Sequence, residues 1–208
     1  MGRRPEAREV GAVGFRLHTG WAAAVTLGGS PSAPRVLDRR RFSLVEKADH
    51  DSVFVFHAAA ELGAAAAETH VAKAREVAQA RASGEMARLL SDLAGSGVSL
   101  RAAGVPRGAH RPLPAFADVL RSHPLLHTAE GELFRTALVE ACDRQGVAVV
   151  RVASKGLLEQ VAQASGVQPE ALKRRLVELG RGLGPPWATD QREAALAALA
   201  ASASLERH

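Results

Sequence analysis

VGFRLHTGWAAAVTL, residues 13–27, is the stretch that decides the fold. Its odd positions run Val13, Phe15, Leu17, Thr19, Trp21, Ala23, Val25 and Leu27. The even ones are Gly14, Arg16, His18, Gly20, Ala22, Ala24 and Thr26. Period-two alternation is the mark of a strand with one apolar face. Fifteen residues are long for a single strand, and Thr19-Gly20 divides them at a turn or bulge. GGSPSAP (28–34) turns the chain again, and Arg35–Val45 returns near alternation. The first 55 residues therefore predict an antiparallel three-strand meander.

Beyond it the period changes. Residues 57–82 are rich in helix formers and free of proline, with Val71, Ala74, Ala78 and Arg81 on one face. Alanine packs closely, so this helix is expected against a sheet. Gly84 reads as its end, followed by a short helix at 85–93. Buried strands are expected at 98–105 and 147–153. Between them, 116–122 makes two turns broken at His123-Pro124, and Thr128 caps a helix to Arg144. Helices follow at 155–164 and 169–179, with Pro169 in the first helical position. The last is expected at 191–200, where Asp190 and Glu193 form a capping pair. The expected class is α/β: a mixed sheet opened by the meander and followed by alternating helices and strands. The expected layout is a basic tail (1–9), one domain (10–200) and a frayed tail (201–208).

Charge and cysteine usage bound the function. Residues 1–45 carry eight arginines against Glu6, Glu9 and Asp38, which accounts for the whole net charge of +5. A local arginine excess attracts phosphate or an acidic partner, and also fits a solvated face or codon bias. Cys142 stands alone, which excludes an internal disulfide and a cysteine zinc cluster. Charges interrupt every apolar run short of a membrane span, and no signal peptide follows the basic start. The expectation is a soluble, cytoplasmic protein with no membrane partner.

This order of elements resembles the ribonuclease H-like superfamily, and the Holliday-junction resolvase (RuvC-like) branch in particular. The stretch VGFRLHTGWAAAVTL looks like that branch's first strand and Gly-containing turn. DQREAALAALA (190–200) looks like its last helix, with an acidic residue followed by small apolar ones. The resemblance implies nucleic acid as partner and about four carboxylates around two divalent ions, Mg or Mn, that clamp a phosphodiester. The chain departs from this pattern. His18 stands where the first-strand acid is expected, and the 98–105 strand offers no Glu.

Candidate catalytic residues are therefore His18, Glu130, Glu132 and Asp190, expected around one pocket. In SHPLLHTAEGELFR (122–135), His123 and His127 are candidate metal ligands, since imidazole and carboxylate suit zinc, manganese or iron. The same glutamates equally complement a helix dipole. Candidate nucleic-acid contacts are Arg39, Arg41, Arg135, Arg181 and Trp187. Against them, arginines on an edge strand discourage strand pairing, and Trp187 in GRGLGPPW (180–187) is as readily a core plug. Three functions follow: a nucleic-acid-binding or nucleic-acid-acting protein with an incomplete metal–carboxylate site; a non-catalytic scaffold for a protein partner or homodimer; or a small-molecule hydrolase or transferase using the His/Glu cluster.

Overall fold

A computed structural model describes residues 8–30, 32–109, 111–153 and 155–205. Three strands open it: β1 (Glu9–His18), β2 (Trp21–Ser30) and β3 (Ala33–Ser43). Thr19-Gly20 forms the tight turn between the first two, with Gly20 at φ +77°, a conformation that needs no Cβ. After α1 (His50–Val53), α2 (Val55–Ala60) and α3 (Ala64–Gly95) the chain re-enters the sheet as β4 (Val98–Pro106). Next come α4 (Phe116–Leu120), α5 (His123–Arg144) and β5 (Ala148–Val152), then α6 (Leu157–Ser165), α7 (Pro169–Glu178) and α8 (Thr189–Leu205). The sheet order is β3-β2-β1-β4-β5, with β1, β4 and β5 parallel and the hairpin strands antiparallel. The expected mixed sheet with its opening meander is present.

The two faces of β1 serve different layers. Val13 and Phe15 point into the main core, where they meet α3 and α5 through Met86, Leu89, Phe134 and Leu138. Gly14, on the opposite face, lies directly under α8, and Gly104 of β4 does the same. A Cβ built on Gly14 would stand 2.0 Å from the Ala194 carbonyl oxygen; one on Gly104 would stand 2.1 Å from that of Ala197. Small residues on the strands and an alanine-rich helix together bring α8 into backbone contact with the sheet. A second core, with Val25, Leu172, Leu176 and Leu199, closes α6 and α7 over α8.

Several local expectations are corrected. Gly84 does not end α3, because the buried face continues through Ala82, Met86, Leu89 and Leu93. That packing outweighs the roughly 1 kcal/mol that an interior glycine costs. α5 starts at His123, not after Thr128. Pro124 sits in its first turn, where a missing N–H is harmless, and the Thr128 hydroxyl donates to the Pro124 carbonyl. The 147–153 segment is a half-exposed edge strand. α8 continues to Leu205 with Ala201 and Ala203 buried, and 206–208 lie outside the described residues. Arg3 and Arg4 lie outside the described residues. No helix among the described residues is long and apolar enough to cross a membrane.

Candidate functional site

The alternation of β1 puts Arg16 and His18 on the face of Gly14, at the strand's carboxyl end. There they meet the first turn of α8. His18 Nε2 lies 3.0 Å from Asp190 Oδ1, and Arg16 Nε lies 2.7 Å from Glu193 Oε2 and 3.9 Å from Asp190 Oδ1. Asp190 and Glu193 therefore face the Arg16 guanidinium and the His18 imidazole of β1 instead of capping their own helix; the Gln191 side chain accepts from the Ala188 N–H in that place. The opening hairpin and the closing helix do share one rim. Beneath it, at the carboxyl ends of β1, β4 and β5, a cavity of about 470 Å³ is lined by Phe15, Arg16, Leu176, Arg192 and Glu193 among others. Ligands of open α/β sheets bind at such strand ends.

Across the hairpin, His18 stacks on Trp21 with ring centroids 4.2 Å apart and planes within 5°. The Arg41 guanidinium lies 3.8 Å over the same indole. One residue from each of β1, β2 and β3 thus forms an imidazole–indole–guanidinium stack. Arg41 is exposed, while Arg39 on the same face gives its guanidinium to the carbonyls of Leu183, Gly184 and Pro186. Arg40 points to the other face, between Asp38 and Asp92. The Asp38 carboxylate, hydrogen-bonded to it, holds Arg40 above the usual arginine range, with Asp92 adding to the effect.

The remaining predicted residues lie elsewhere. Glu132 pairs with Arg135 and accepts from the Ala109 backbone N–H, so this pair braces the loop after β4. Trp187 donates from Nε1 to the Leu176 carbonyl and packs on Gly180. Arg181 is exposed on the same loop. Glu130 is fully buried on α5 and contacts neither His18 nor Asp190. Its Oε1 accepts from His57 Nδ1 at 2.7 Å, and from the His57 backbone N–H at 3.3 Å. His57, His123 and His127 crowd together with ring centroids 4.6–5.2 Å apart. One ring nitrogen of each lies within 4.8 Å of the others. His18 with Asp190 and Glu130 with the histidines are two centres on opposite faces of the sheet.

Arg16, Trp21, His57 and Glu193 escaped the sequence reading as site residues. Trp21 counted as an apolar-face position, and nothing in the alanine-rich surroundings of His57 marks it. For Arg16 and Glu193 a signal existed, since each neighbours a named candidate on the same face.

The pair of carboxylate-held divalent ions does not fit the rim. Hard cations need several oxygen ligands. Among the described residues the rim offers Asp190 and Glu193, already engaged by Arg16 and His18, with Glu159 on the cavity wall beneath. Gly14 and Gly104 leave no room beside α8 for another side chain.

No protein-family model matches the chain, and no curated protein matches it. Solved structures do. Thermus thermophilus RuvC in complex with a Holliday junction substrate superimposes at TM-score 0.55 with 13% identity, covering 95% of this chain and 96% of that one. A further Thermus thermophilus RuvC structure gives TM-score 0.53 at 14% identity and the same coverage. The chain has a ribonuclease H-like fold, which it shares with the RuvC structures.

Proposed function

We propose that this chain binds nucleic acid at the rim of its sheet, using its own cations, without the two-ion cleavage chemistry of a carboxylate-lined site. The observation that carries the reading is the Arg41–Trp21–His18 stack beside the Arg16–Glu193 and His18–Asp190 pairs. Trp21 holds the exposed Arg41 guanidinium flat, a surface on which a base stacks or a phosphate docks in two-pronged fashion. Arg16 supplies positive charge, and His18 a hydrogen-bonding imidazole, where metal ions would otherwise neutralise phosphate and carboxylates together. The likeness to a junction-bound RuvC supports nucleic acid as the ligand class. Arg16 is half exposed and paired, so its role is to cancel the α8 carboxylates and keep the rim from repelling phosphate.

A labelled-DNA titration tests this. Four-way junction, duplex and single strand are each titrated at several salt concentrations. Binding is expected at low salt, with affinity falling linearly on a log–log plot. Arg41→Ala is expected to lower that slope by about 1. Trp21→Ala is expected to cost about 1–3 kcal/mol. Incubation with Mg2+ or Mn2+ is expected to leave the DNA uncut. Absence of binding to all three DNAs at low salt overturns the reading, and metal-dependent cutting overturns its second half.

A further inference from the structure

We propose that His57, His123 and His127 bind one borderline divalent transition-metal ion, Zn2+ foremost, with Glu130 as the buried carboxylate that orients them. The site is separate from the rim, on the other face of the sheet, and does not depend on nucleic-acid binding.

Local structure explains the convergence. Pro124 starts α5 rather than breaking it, so His123 and His127 fall at i and i+4, one above the other on the same helix face. His57 reaches them from α2, which packs on α5. Ideal tetrahedral coordination with Zn–N of about 2.0–2.1 Å puts ligand nitrogens roughly 3.3 Å apart. The present limit of 4.8 Å contracts to that value by small side-chain rotations, which the exposed His123 and His127 rings are free to make.

Glu130 is the second, independent observation. A fully buried carboxylate requires cationic or hydrogen-bonding partners. His57 satisfies one oxygen; Oε2 has no hydrogen-bond partner, and His127 Nδ1 stands 3.7 Å from it. With Nδ1 of His57 committed to Glu130, Nε2 is the nitrogen left for an ion. A carboxylate behind a ligating imidazole fixes its tautomer and raises its basicity. If His127 also ligates through Nε2, its Nδ1–H closes on Oε2 and completes the partners of Glu130. Nitrogen donors favour zinc, cobalt, nickel or copper over magnesium or calcium. Three imidazoles leave a fourth position to water, the arrangement of catalytic zinc sites.

The test is titration of the full, untagged chain, stripped with chelator, using Co2+ as optical probe and Zn2+ as competitor. Saturation at one equivalent is expected, with the intense visible bands of a four-coordinate Co2+ site that Zn2+ abolishes. His123→Ala and His127→Ala alter exposed side chains and are each expected to abolish those bands. Glu130→Gln, if folded by circular dichroism, is expected to weaken binding about 10–100-fold. His50→Ala, an exposed histidine outside the cluster, is expected to change nothing. Lack of saturation at one equivalent overturns the proposal. So does undiminished binding in both exposed-histidine variants.

Discussion

Adding one methyl group at Gly14 tests how α8 is held on the sheet and whether the rim depends on it. In Gly14→Ala the new Cβ begins 2.0 Å from the Ala194 carbonyl oxygen and 2.2 Å from the Ala198 nitrogen. Real Cβ contacts stay beyond 3.0 Å, so the helix must lift by about 1 Å. Both neighbours are backbone, and no rotamer change relieves them. A gap of roughly 0.5–1 Å forfeits a quarter to a half of the dispersion energy across it. Overpacking costs about 1–3 kcal/mol in general, and a clash with several backbone atoms of one helix belongs at the upper end. The expected loss is about 3 kcal/mol, or roughly 6–12 °C in Tm for a chain of this size. The same lift stretches the 3.0 Å His18–Asp190 contact beyond hydrogen-bond reach. Gly104→Ala, 2.1 Å from the Ala197 carbonyl oxygen, is expected to behave alike. One helix displacement relieves both clashes, so the double variant should cost less than the two singles together. Urea unfolding gives the midpoints, and histidine NMR reports the contact. A Gly14→Ala midpoint within about 0.5 kcal/mol of the parent refutes the argument, as does strict additivity.

Gly84→Ala is the opposite case. It lies inside α3, where an added Cβ meets only the Arg88 guanidinium at 4.0 Å, and should stabilise the chain by about 0.5–1 kcal/mol in the same unfolding assay. Burial pushes the Cys142 thiol up to about 12, with Asp143 adding to it. At pH 8 the thiolate is then on the order of one part in ten thousand, and alkylation followed by mass spectrometry should label Cys142 only after unfolding. Arg16→Asp removes the cation that neutralises Asp190 and Glu193 and adds a third carboxylate. The variant's Tm should rise with added Mg2+ while that of the parent does not; equal insensitivity in both would remove Arg16 from the explanation of why hard cations do not fit the rim.

What the sequence discloses follows the physics of each signal. The hairpin is legible because period two over residues 13–27 has no competing reading, and Gly20 marks its turn. The meeting of His18 with Asp190 is anticipated through the resemblance, which brings the opening hairpin and the closing helix to one rim. Other features depend on tertiary context. Gly84 looks like a helix end by propensity, but the apolar stripe beyond it decides. Asp190 and Glu193 have the spacing of a capping pair, yet Arg16 offers opposite charge and His18 a hydrogen-bond partner across the interface. His57 sits among alanines without periodic meaning until α2 docks on α5. Glu130 and Glu132 look equivalent two residues apart, but that spacing sends them to different sides of α5: one into the core against His57, the other to the loop after β4.

The sheet keeps the two polar centres on opposite faces, so the side chains of one can change without altering the contacts of the other. Successive residues of β1 project to opposite faces, so Phe15 builds the core under α5 while Gly14 and Arg16 face α8. A change at Arg16 or His18 alters the contacts of the rim without touching Glu130. A change at His57 alters the imidazole cluster without moving Asp190. Each centre is then free to diverge at the cost of its own contacts alone. At the rim, guanidinium and imidazole stand where hard-cation chemistry would need carboxylates. At the start of α5, nitrogen donors, which hard cations do not favour, gather beside a buried acid. The glycines at 14 and 104 preserve the close seating of α8 that keeps strand ends and helix start at a common edge. The architecture persists through backbone packing, which is indifferent to the chemistry of the side chains at that edge.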